Sequence, residues 1–527
     1  MTASATTASA ARPTAATRVH DLVGIGIGPF NLGLACLADP LDLDAVFLDS
    51  ADGFRWHHGM MIEGATIQVP FLADLVSMAD PTSPFSFLAW LKERGRLYPF
   101  YIRESFYPLR AEYDAYCRWA ADRLDTLRWG RRVTEVSYEA SDDVFAVRSV
   151  GVDGDGEPLP GTAEVHLARH VVLGIGTEPT LPDAFASVAE RVVHSADFLH
   201  RRDEFGAARS IAIIGSGQSA AEIYRDLLET IDEHEYRLDW ITRSPRFFPM
   251  EYTKLTLELT SPEYTDHFHA LPPAVRDRLG REQRSLYKGI SGDLVDDIFD
   301  TLYRKSAARP VPTNLLTDTE VVGAVALGPG SGSDGSGASA SDVSTSDSSD
   351  ASGPGASRGV RLRLRHAQLG EEYDWAVDAV IVATGYRARV PSFLDPLGDL
   401  VERDEVGRLA VARDYSVDGG RGRIFVQNGE EHTHGLTAPD LGFGAWRNSS
   451  ILASILGEEP YPIERRIAFQ EFGVPAAARS AGSDADAPAE PVADRVAHPG
   501  SSRGSSLDSG RDSGRDSSRR VEAGARR

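Results

Sequence analysis

The chain has 527 residues, an apolar fraction of 42% and a formal net charge of −23. A chain of this length needs more than one hydrophobic core, so we expect two or three domains. The acidic balance argues against a nucleic-acid-binding protein, which would present a basic face. No apolar run is long enough to cross a bilayer, so we expect no membrane-spanning helix.

The cysteine content indicates a reducing compartment. Cys36 and Cys117 are the only cysteines and lie far apart in the sequence, which leaves no C-x-x-C motif and no cysteine-based zinc site. We therefore expect a cytoplasmic protein. Residues 1–18 are rich in Ala, Thr and Ser and lack the continuous apolar stretch of a secretory signal, so we expect a disordered leader.

The first motif of the chain is a glycine-rich turn between a strand and a helix. An apolar strand at residues 22–25 runs into Gly26-x-Gly28-x-x-Asn31 and then into an apolar helical segment. This pattern is a dinucleotide fingerprint whose third glycine is replaced. In such a turn the backbone approaches a pyrophosphate at the helix N-terminus. Gly26, Gly28, Pro29 and Asn31 are the candidate cofactor-binding residues.

The next predicted strand supports this interpretation. It covers residues 45–48 and ends at Asp49, close to the roughly 20 positions expected for an acid that accepts a ribose hydroxyl. The alternative is an ordinary strand, turn and helix without a ligand. The sequence of strand, turn, helix, strand and acid favours nucleotide binding.

A second fingerprint follows in the middle of the chain. A strand at residues 211–214 leads into Gly215-x-Gly217-x-x-Ala220, and we take Gly215, Gly217 and Ser219 as candidate cofactor contacts. The following strand is followed by Arg243. Arginine at this place accommodates a 2′-phosphate, which predicts NADPH rather than NADH. The alternative is a surface arginine without a ligand.

Two sites imply two dinucleotides, most simply FAD at the first and NADPH at the second. A disulfide reductase would need a cysteine pair, and none is present. His57 and His58, and likewise His432 and His434, lack further ligands at suitable spacing, so we expect no metal site. Oxygen is the remaining electron acceptor, which indicates a flavin monooxygenase or oxidase.

We therefore predict an α/β fold with two Rossmann-like domains, the second inserted in the first, and a smaller substrate-binding region. Residues 328–357 consist almost wholly of Gly, Ser, Ala, Asp and Pro, which predicts a disordered insert in a hairpin of the second domain. The predicted segments are a leader at 1–18, an FAD-binding domain at 19–200 and 384–470, an NADPH-binding domain at 205–383, and a disordered tail at 476–527.

Several motifs together resemble one enzyme family. They are Gly26-x-Gly28-Pro29-x-Asn31-Leu32, Trp56-His57-x-Gly59-Met60-Met61, Gln68 with Phe71-Leu72-x-Asp74-Leu75, Pro81-Thr82-Ser83-Pro84-Phe85-Ser86-Phe87-Leu88, Tyr116-x-Arg118-Trp119-Ala120, Ala383-Thr384-Gly385-Tyr386 and His434-Gly435-Leu436. The chain resembles the N-hydroxylating flavin monooxygenases, which are the lysine, ornithine and diamine hydroxylases of siderophore biosynthesis. The resemblance covers about residues 20–465.

The resemblance implies a mechanism and further site residues. NADPH reduces FAD, oxygen adds at the flavin C4a, and a neutral terminal amine attacks the distal oxygen of the hydroperoxide. The pKa of an alkylammonium is about 10.4, so the site must favour the neutral amine by desolvation. The resemblance implies that seven further residues lie near FAD or NADPH. They are Trp56, His57, Met61, Gln68, Thr384, Gly385 and Leu436. Gln68 and His57 are the catalytic candidates, whereas Trp56 and Met61 could equally belong to the core.

The chain departs from the amino-acid hydroxylases at the substrate positions. Ornithine hydroxylases place a lysine where this chain has Ala73, and asparagines where it has Leu257 and Leu286. Burying an unpaired α-carboxylate and α-amino group is costly, so the resemblance favours a diamine, either cadaverine or putrescine. Glu104 or Glu258 could then accept the distal ammonium.

Other functions stay open at this point. Lysine or ornithine hydroxylation by the same family is one alternative, and oxygenation of sulfur or carbon is another. A flavin-bearing redox sensor or binding module is a third, although such a sensor has little need of an NADPH site. The resemblance also implies a homo-oligomer, often a tetramer, that acts on a small-molecule amine with O2.

Overall fold

The computed structural model describes residues 18–328 and 359–475. The predicted leader apart from Arg18, the predicted insert apart from Gly328, and the predicted tail lie outside these residues. The described residues up to Gly473 form one compact body. Among the described residues, no helix is both long and apolar enough to cross a membrane.

The strands are β1 (Val19–Ile25), β2 (Ala45–Leu48), β3 (Leu127–Arg128), β4 (Arg131–Glu139), β5 (Val144–Gly151), β6 (Glu164–Leu173), β7 (Glu178–Pro179), β8 (Val192–His194), β9 (Ser210–Ile214), β10 (Arg237–Ile241), β11 (Thr313–Leu316), β12 (Thr319–Ala326), β13 (Val360–His366), β14 (Glu372–Val377), β15 (Ala379–Val382), β16 (Tyr386–Arg387) and β17 (Ile424–Val426).

The α-helices are α1 (Pro29–Ala38), α2 (Phe87–Glu93), α3 (Leu97–Ile102), α4 (Arg110–Ala121), α5 (Arg202–Phe205), α6 (Gln218–His234), α7 (Lys254–Leu257), α8 (Pro262–Ala270), α9 (Pro273–Glu282), α10 (Arg284–Tyr287), α11 (Gly292–Ser306), α12 (Glu431–His434) and α13 (Gly444–Leu456). Short 3₁₀ segments cover His58–Met60, Asp183–Arg191, Ser195–Asp197, Ser392–Leu400, Gly435–Thr437 and Leu441–Phe443.

The first sheet has the order β3-β2-β1-β6-β5-β4, and β17 also pairs with β6. Strand β1 runs parallel to β2 and β6, whereas β4, β5 and β6 form an antiparallel meander. The last four residues of β1 and all of β2 are buried, as expected for parallel strands covered on both faces. The first glycine turn follows β1 at the carboxyl edge of this sheet.

The second sheet has the order β11-β10-β9-β15-β8, and all its strand pairs are parallel. Every residue of β9 is buried, and the second glycine turn follows this strand. Because the chain leaves the first sheet after β6 and returns to it at β17, the second unit is inserted in the first. The predicted fold class is therefore confirmed. Strand β8 precedes the predicted boundary at residue 205, and the domain boundaries stay predictions.

A smaller antiparallel sheet extends the second unit. Strands β12, β13 and β14 pair in sequence order. Along β13 the buried residues Val360, Leu362 and Leu364 alternate with exposed arginines, which is the period of a strand with one buried face. The predicted insert separates β12 from β13, so it connects the two strands of a hairpin.

Two connections between the sheets run side by side. Strand β7 follows β6, strand β16 follows β15, and the two pair in antiparallel fashion. The Thr180 N–H donates to the Gly385 carbonyl oxygen at 2.9 Å, and the Thr384 hydroxyl donates to the Thr180 carbonyl oxygen. The exit from the first unit and the return from the second therefore lie at one place.

A buried ion pair also joins the two units. Arg110 at the start of α4 is 8% exposed, and Glu222 on α6 is 5% exposed. Their side chains form two hydrogen bonds of 2.7 and 2.8 Å. Arg110 Nη1 also donates to the Met60 carbonyl oxygen at 2.9 Å, and Gln218 Nε2 donates to Glu222 Oε1 at 2.8 Å. Bidentate geometry and these added bonds compensate for the desolvation of both charges.

Removing one partner of this pair leaves a buried charge unpaired. We expect Arg110→Met to lower the free energy of unfolding by about 3–5 kcal/mol, measured by urea denaturation. The double variant Arg110→Met/Glu222→Leu should recover most of this loss. The control is Arg365→Met, because Arg365 and Glu320 form an exposed pair at 2.6 Å and its loss should cost about 1 kcal/mol or less. A change below 1 kcal/mol for the Arg110 variant would contradict this account.

Candidate functional site

The first glycine turn has the shape that a pyrophosphate requires. Gly26 has φ of 85°, and a Cβ at this position would lie 2.5 Å from the Gly174 carbonyl oxygen. Only glycine fits both conditions. Gly28 caps α1, and Pro29 occupies the first position of the helix. The free N–H groups at this helix N-terminus can bind an anion, so the residues present fit a dinucleotide.

Asp49 lies beside this turn, as the sequence predicts. Its carboxylate accepts the Ile27 N–H at 2.6 Å and the Ala51 N–H at 2.8 Å. The side chain therefore fixes the glycine turn. Each carboxylate oxygen has a second lone pair, so these bonds leave room for a ribose hydroxyl, and that contact stays a prediction.

Asn31, a predicted cofactor contact, is bound by other groups of the chain. It is fully buried, and its contact with a cofactor stays a prediction. The amide Nδ2 donates to the Gly26 carbonyl oxygen at 2.8 Å, and Oδ1 accepts from Gln427 Nε2 at 2.8 Å. Gly174 leaves the necessary space, because a Cβ there would lie 2.5 Å from the Asn31 amide. Asn31 ties the glycine turn to the segment after β17.

The second glycine turn repeats the geometry of the first. Gly215 has φ of 138°, and a Cβ there would lie 2.3 Å from the Ala383 carbonyl oxygen. Gly217 caps the 17-residue helix α6, with the half-buried Ser219 in its first turn. This turn also fits a pyrophosphate.

Arg243 is available for a ligand. It follows β10, is exposed, and makes no hydrogen bond or ion pair within the part of the chain that the structure describes. The neighbouring Ser244 hydroxyl lies 3.0 Å from the Ser216 hydroxyl, which places the arginine next to the second glycine turn. This position suits the 2′-phosphate of NADPH.

His57 and the segment Thr384–Tyr386 lie together, although they are far apart in sequence. The His57 ring centroid lies 5.1 Å from that of Trp56 and 5.8 Å from that of Tyr386. Trp56 packs in turn against Tyr113, with centroids 5.0 Å apart. His194 Nε2 lies 3.2 Å from the Gly385 carbonyl oxygen. The crossing between the two units therefore carries several of the predicted site residues.

His57 is held as a neutral imidazole. The surrounding protein and the nearby positive charge of Arg110 lower the pKa of His57 to about 4, although part of its surface remains exposed. Its φ of 47° is unusual for a residue with a side chain. At neutral pH this side chain adds no positive charge to the site.

Gln68 is partly free to bind a ligand. Its Nε2 makes a single long contact of 3.5 Å with the Thr66 carbonyl oxygen, and the residue is half-buried. The antiparallel bridge between Thr66 and Leu109 fixes the backbone beside it. Met61 is half-buried directly after the 3₁₀ turn His58–Met60. Contacts of Gln68 and Met61 with a flavin stay predictions.

The predicted substrate positions divide into two groups. Ala73 is 5% exposed. Leu286 packs against a buried cluster of Tyr264, Phe268 and Leu436. Leu257 is 50% exposed and Glu104 is also exposed, and neither belongs to that cluster. Leu436 is 6% exposed, and a cofactor contact at this position stays a prediction.

Glu258, the other predicted ammonium acceptor, already accepts hydrogen bonds from the chain itself. Its carboxylate accepts the N–H groups of Phe469 and Gln470 at 3.0 and 2.9 Å. These backbone hydrogen bonds lower the pKa of Glu258. The carboxylate therefore ties α7 to the segment after α13.

Two structural features were missing from the sequence-based prediction. One is a narrow cleft between the N-termini of α1 and α13, whose walls include Phe30, Leu441 and Gly444. The other is a polar cluster of Tyr287, Lys288 and Glu431. The only local signal for the second was the pair of adjacent glutamates at 430–431, one buried and one partly exposed.

The chain is similar to known proteins over most of its length. The family described as L-lysine 6-monooxygenase/L-ornithine 5-monooxygenase matches residues 18–332. A putrescine N-hydroxylase of Shewanella oneidensis is 46% identical over 457 residues, which are 86% of this chain and 84% of the relative.

Solved structures of two hydroxylases are also similar. The cadaverine monooxygenase of the desferrioxamine pathway of Erwinia amylovora, bound to FAD, has a TM-score of 0.79 and 44% identity, over 87% of this chain and 100% of the other. The ornithine N-hydroxylase of Kutzneria sp. 744, with reduced FAD, NADP⁺ and L-ornithine, has a TM-score of 0.70 and 28% identity, over 84% of this chain and 99% of the other.

The neutral state of His57 predicts a loss of stability in acid. Its pKa is about 4 in the folded chain and about 6.5 in an unfolded one, so the unfolded chain binds more protons between these values. The free energy of unfolding should fall as the pH decreases from about 6.5 to 4. We expect His57→Gln to reduce this slope in urea titrations. His234→Gln, at the exposed end of α6, is the control, and equal slopes in His57→Gln and the native chain would contradict the prediction.

Proposed function

The chain belongs to the L-lysine 6-monooxygenase/L-ornithine 5-monooxygenase family, and we propose that it is an NADPH- and O2-dependent flavin monooxygenase that N-hydroxylates one primary amine of a diamine, in hydroxamate siderophore biosynthesis. FAD, when bound, supplies the activation of oxygen, and NADPH supplies the electrons. The relatives named for putrescine and cadaverine support the diamine assignment.

One observation supports the choice of a diamine as the substrate. The three positions at which the resemblance places a lysine and two asparagines hold Ala73, Leu257 and Leu286. Ala73 is buried and Leu286 packs into an apolar cluster. An α-carboxylate placed against these residues would lose its hydration without gaining a partner. A diamine has no α-carboxylate and avoids this cost.

The residues of the two turns would hold the cofactors. We propose that the α1 N-terminus, Gly26, Gly28 and Asp49 bind FAD, and that the α6 N-terminus, Ser219 and Arg243 bind NADPH. Both cofactors would then meet near the crossing segment that contains Thr384 and Gly385. Gln68 offers an uncommitted amide to the flavin.

The protein's own contribution is a site that favours a neutral amine. Apolar side chains disfavour the ammonium form, and a neutral His57 leaves Gln68 as the polar group that can orient the reacting nitrogen. Exclusion of water from the same space protects activated oxygen. We propose that Gln68 and His57 orient the reacting groups.

Location and assembly are also proposals. The free, buried thiols of Cys36 and Cys117 are in keeping with a cytoplasmic protein. A homo-oligomer, a tetramer in the resemblance, is in keeping with the exposed apolar face of α3, where Tyr98, Tyr101 and Ile102 are 73%, 69% and 72% exposed.

A substrate panel tests the proposed reaction. The chain loaded with FAD is assayed with putrescine, cadaverine, lysine and ornithine, while NADPH oxidation and hydroxylamine formation are measured together. We expect hydroxylamine from the diamines with a kcat/KM at least about tenfold higher than from the amino acids, a difference of ~1.4 kcal/mol. A preference for lysine or ornithine would contradict the diamine assignment. NADPH oxidation without hydroxylamine from any amine would contradict amine hydroxylation itself.

Arg243 should discriminate between the nicotinamide cofactors. We expect Arg243→Ala to raise the KM for NADPH about tenfold or more and to leave the KM for NADH nearly unchanged, because only NADPH carries the 2′-phosphate. Steady-state kinetics with both cofactors measure this. Arg361→Ala, at an exposed position of β13, is the control. Equal changes for NADPH and NADH would rule out a phosphate contact.

A further inference from the structure

An alkylammonium group of the chain itself occupies a well-defined binding position. Lys288 Nζ lies 3.0 and 3.1 Å from the two carboxylate oxygens of Glu431. It also lies 4.9 Å from the ring centroid of Tyr287, and the Tyr287 hydroxyl donates to Glu431 Oε1. A carboxylate and an aromatic face are the groups that bind primary ammonium ions.

This cluster lies beside the second candidate cofactor site. A Cβ on Gly217 would be 3.4 Å from the Lys288 carbonyl oxygen, so Lys288 adjoins the second glycine turn. Glu431 begins α12, which is followed by the turn containing Leu436. Leu286, two residues before Lys288, packs against the cluster that includes Leu436. The cluster therefore adjoins both the second glycine turn and the segment around Leu436.

The adjacent glutamate shows by contrast why Glu431 can bind a ligand. Glu430 and Arg447 form a fully buried ion pair, with both side chains 0% exposed. Glu431 and Lys288 are 44% and 42% exposed. A half-exposed pair contributes little to stability, so another ammonium can replace that of Lys288 at little cost.

Tyr287 is suited to stay a hydrogen-bond donor in this cluster. Burial, and then the negative charge of Glu431, raise the pKa of the Tyr287 phenol. The hydroxyl therefore keeps its proton at any physiological pH. It holds Oε1 of Glu431 in place, and both carboxylate oxygens remain directed at the ammonium.

Given the proposed diamine hydroxylation, on which this inference rests, we propose that Glu431 and Tyr287 bind the second ammonium of the diamine. Lys288 occupies that position when no substrate is bound. A lysine side chain and a diamine both end in a primary ammonium on a methylene chain, so one replaces the other without a change in the contacts. This site replaces Glu104 and Glu258 as the expected acceptor.

Variants with opposite effects test the site. Glu431→Gln removes the acceptor charge, and Lys288→Met removes the competing ammonium. In the FAD-loaded enzyme we expect Glu431→Gln to raise the KM for putrescine and cadaverine about tenfold to a hundredfold. Lys288→Met should lower the same KM about two- to fivefold. Tyr287→Phe should raise it less than Glu431→Gln does.

Monoamines distinguish a loss of binding to the second ammonium from a general loss of enzyme activity. Butylamine and pentylamine lack that group, so their KM should be the same in the native enzyme and in Glu431→Gln. Glu372→Gln is the matched control, because Glu372 is 43% exposed and paired with Arg363 at 3.2 Å. Flavin content and thermal unfolding of each variant are measured alongside.

Two results would overturn the inference. One is an equal rise of KM for diamines and monoamines in Glu431→Gln, and the other is a rise of the diamine KM in Lys288→Met. Failure of the proposed function is a distinct result, because the native enzyme would then form no hydroxylamine from either amine class. If Glu431→Gln does not fold, the variants Tyr287→Phe and Lys288→Met still test whether this cluster binds the second ammonium.

Discussion

The buried ion pair between Arg110 and Glu222 constrains the arrangement of the whole site. Arg110 stands at the start of α4 in the first unit, and Glu222 lies on the helix that follows the second glycine turn. Neither charge can be left unpaired in this dry environment. The two turns are therefore fixed relative to one another, and so is the segment around Met60, whose carbonyl oxygen the same guanidinium binds.

This ion pair also affects the electrostatic environment of the candidate site. Arg110 places a positive charge near His57, which contributes to keeping that imidazole neutral. Of the apolar residues at the predicted substrate positions, Ala73 is buried and Leu286 packs against a buried cluster. Besides the buried Arg110–Glu222 pair, the polar groups proposed to act on the substrate are the Gln68 amide and the carboxylate of Glu431 with its phenol partner. As proposed, such a site selects a substrate by the charge at its far end and keeps its reacting end uncharged.

The sequence alone predicted the parts of this arrangement that depend on local patterns. Both glycine turns, the acid at Asp49 and the arginine at Arg243 follow strands within a few residues, and each is recognisable by its spacing. A fingerprint gives the position of a residue and not the direction of its side chain, so the buried contacts of Asn31 were not predicted. One of its partners, Gln427, is distant in sequence.

The contacts that unite the site could not be found in the same way. Arg110 and Glu222 are 112 positions apart, and Lys288 and Glu431 are 143 positions apart. No local period connects such residues, and their pairing arises only when the two sheets are in place. Glu430 and Glu431 are neighbours in sequence, but tertiary packing makes one a structural ion pair and the other an accessible acceptor.

The return of the chain to the first sheet at β17 has a consequence for biosynthesis. Strand β17 pairs with β6, yet the ribosome makes the entire inserted unit between them. That unit has all its own parallel strands before β17 emerges, so it can fold while the first sheet still lacks a strand. The part of β6 that pairs with β17 is therefore an unpaired strand edge until β17 has been made.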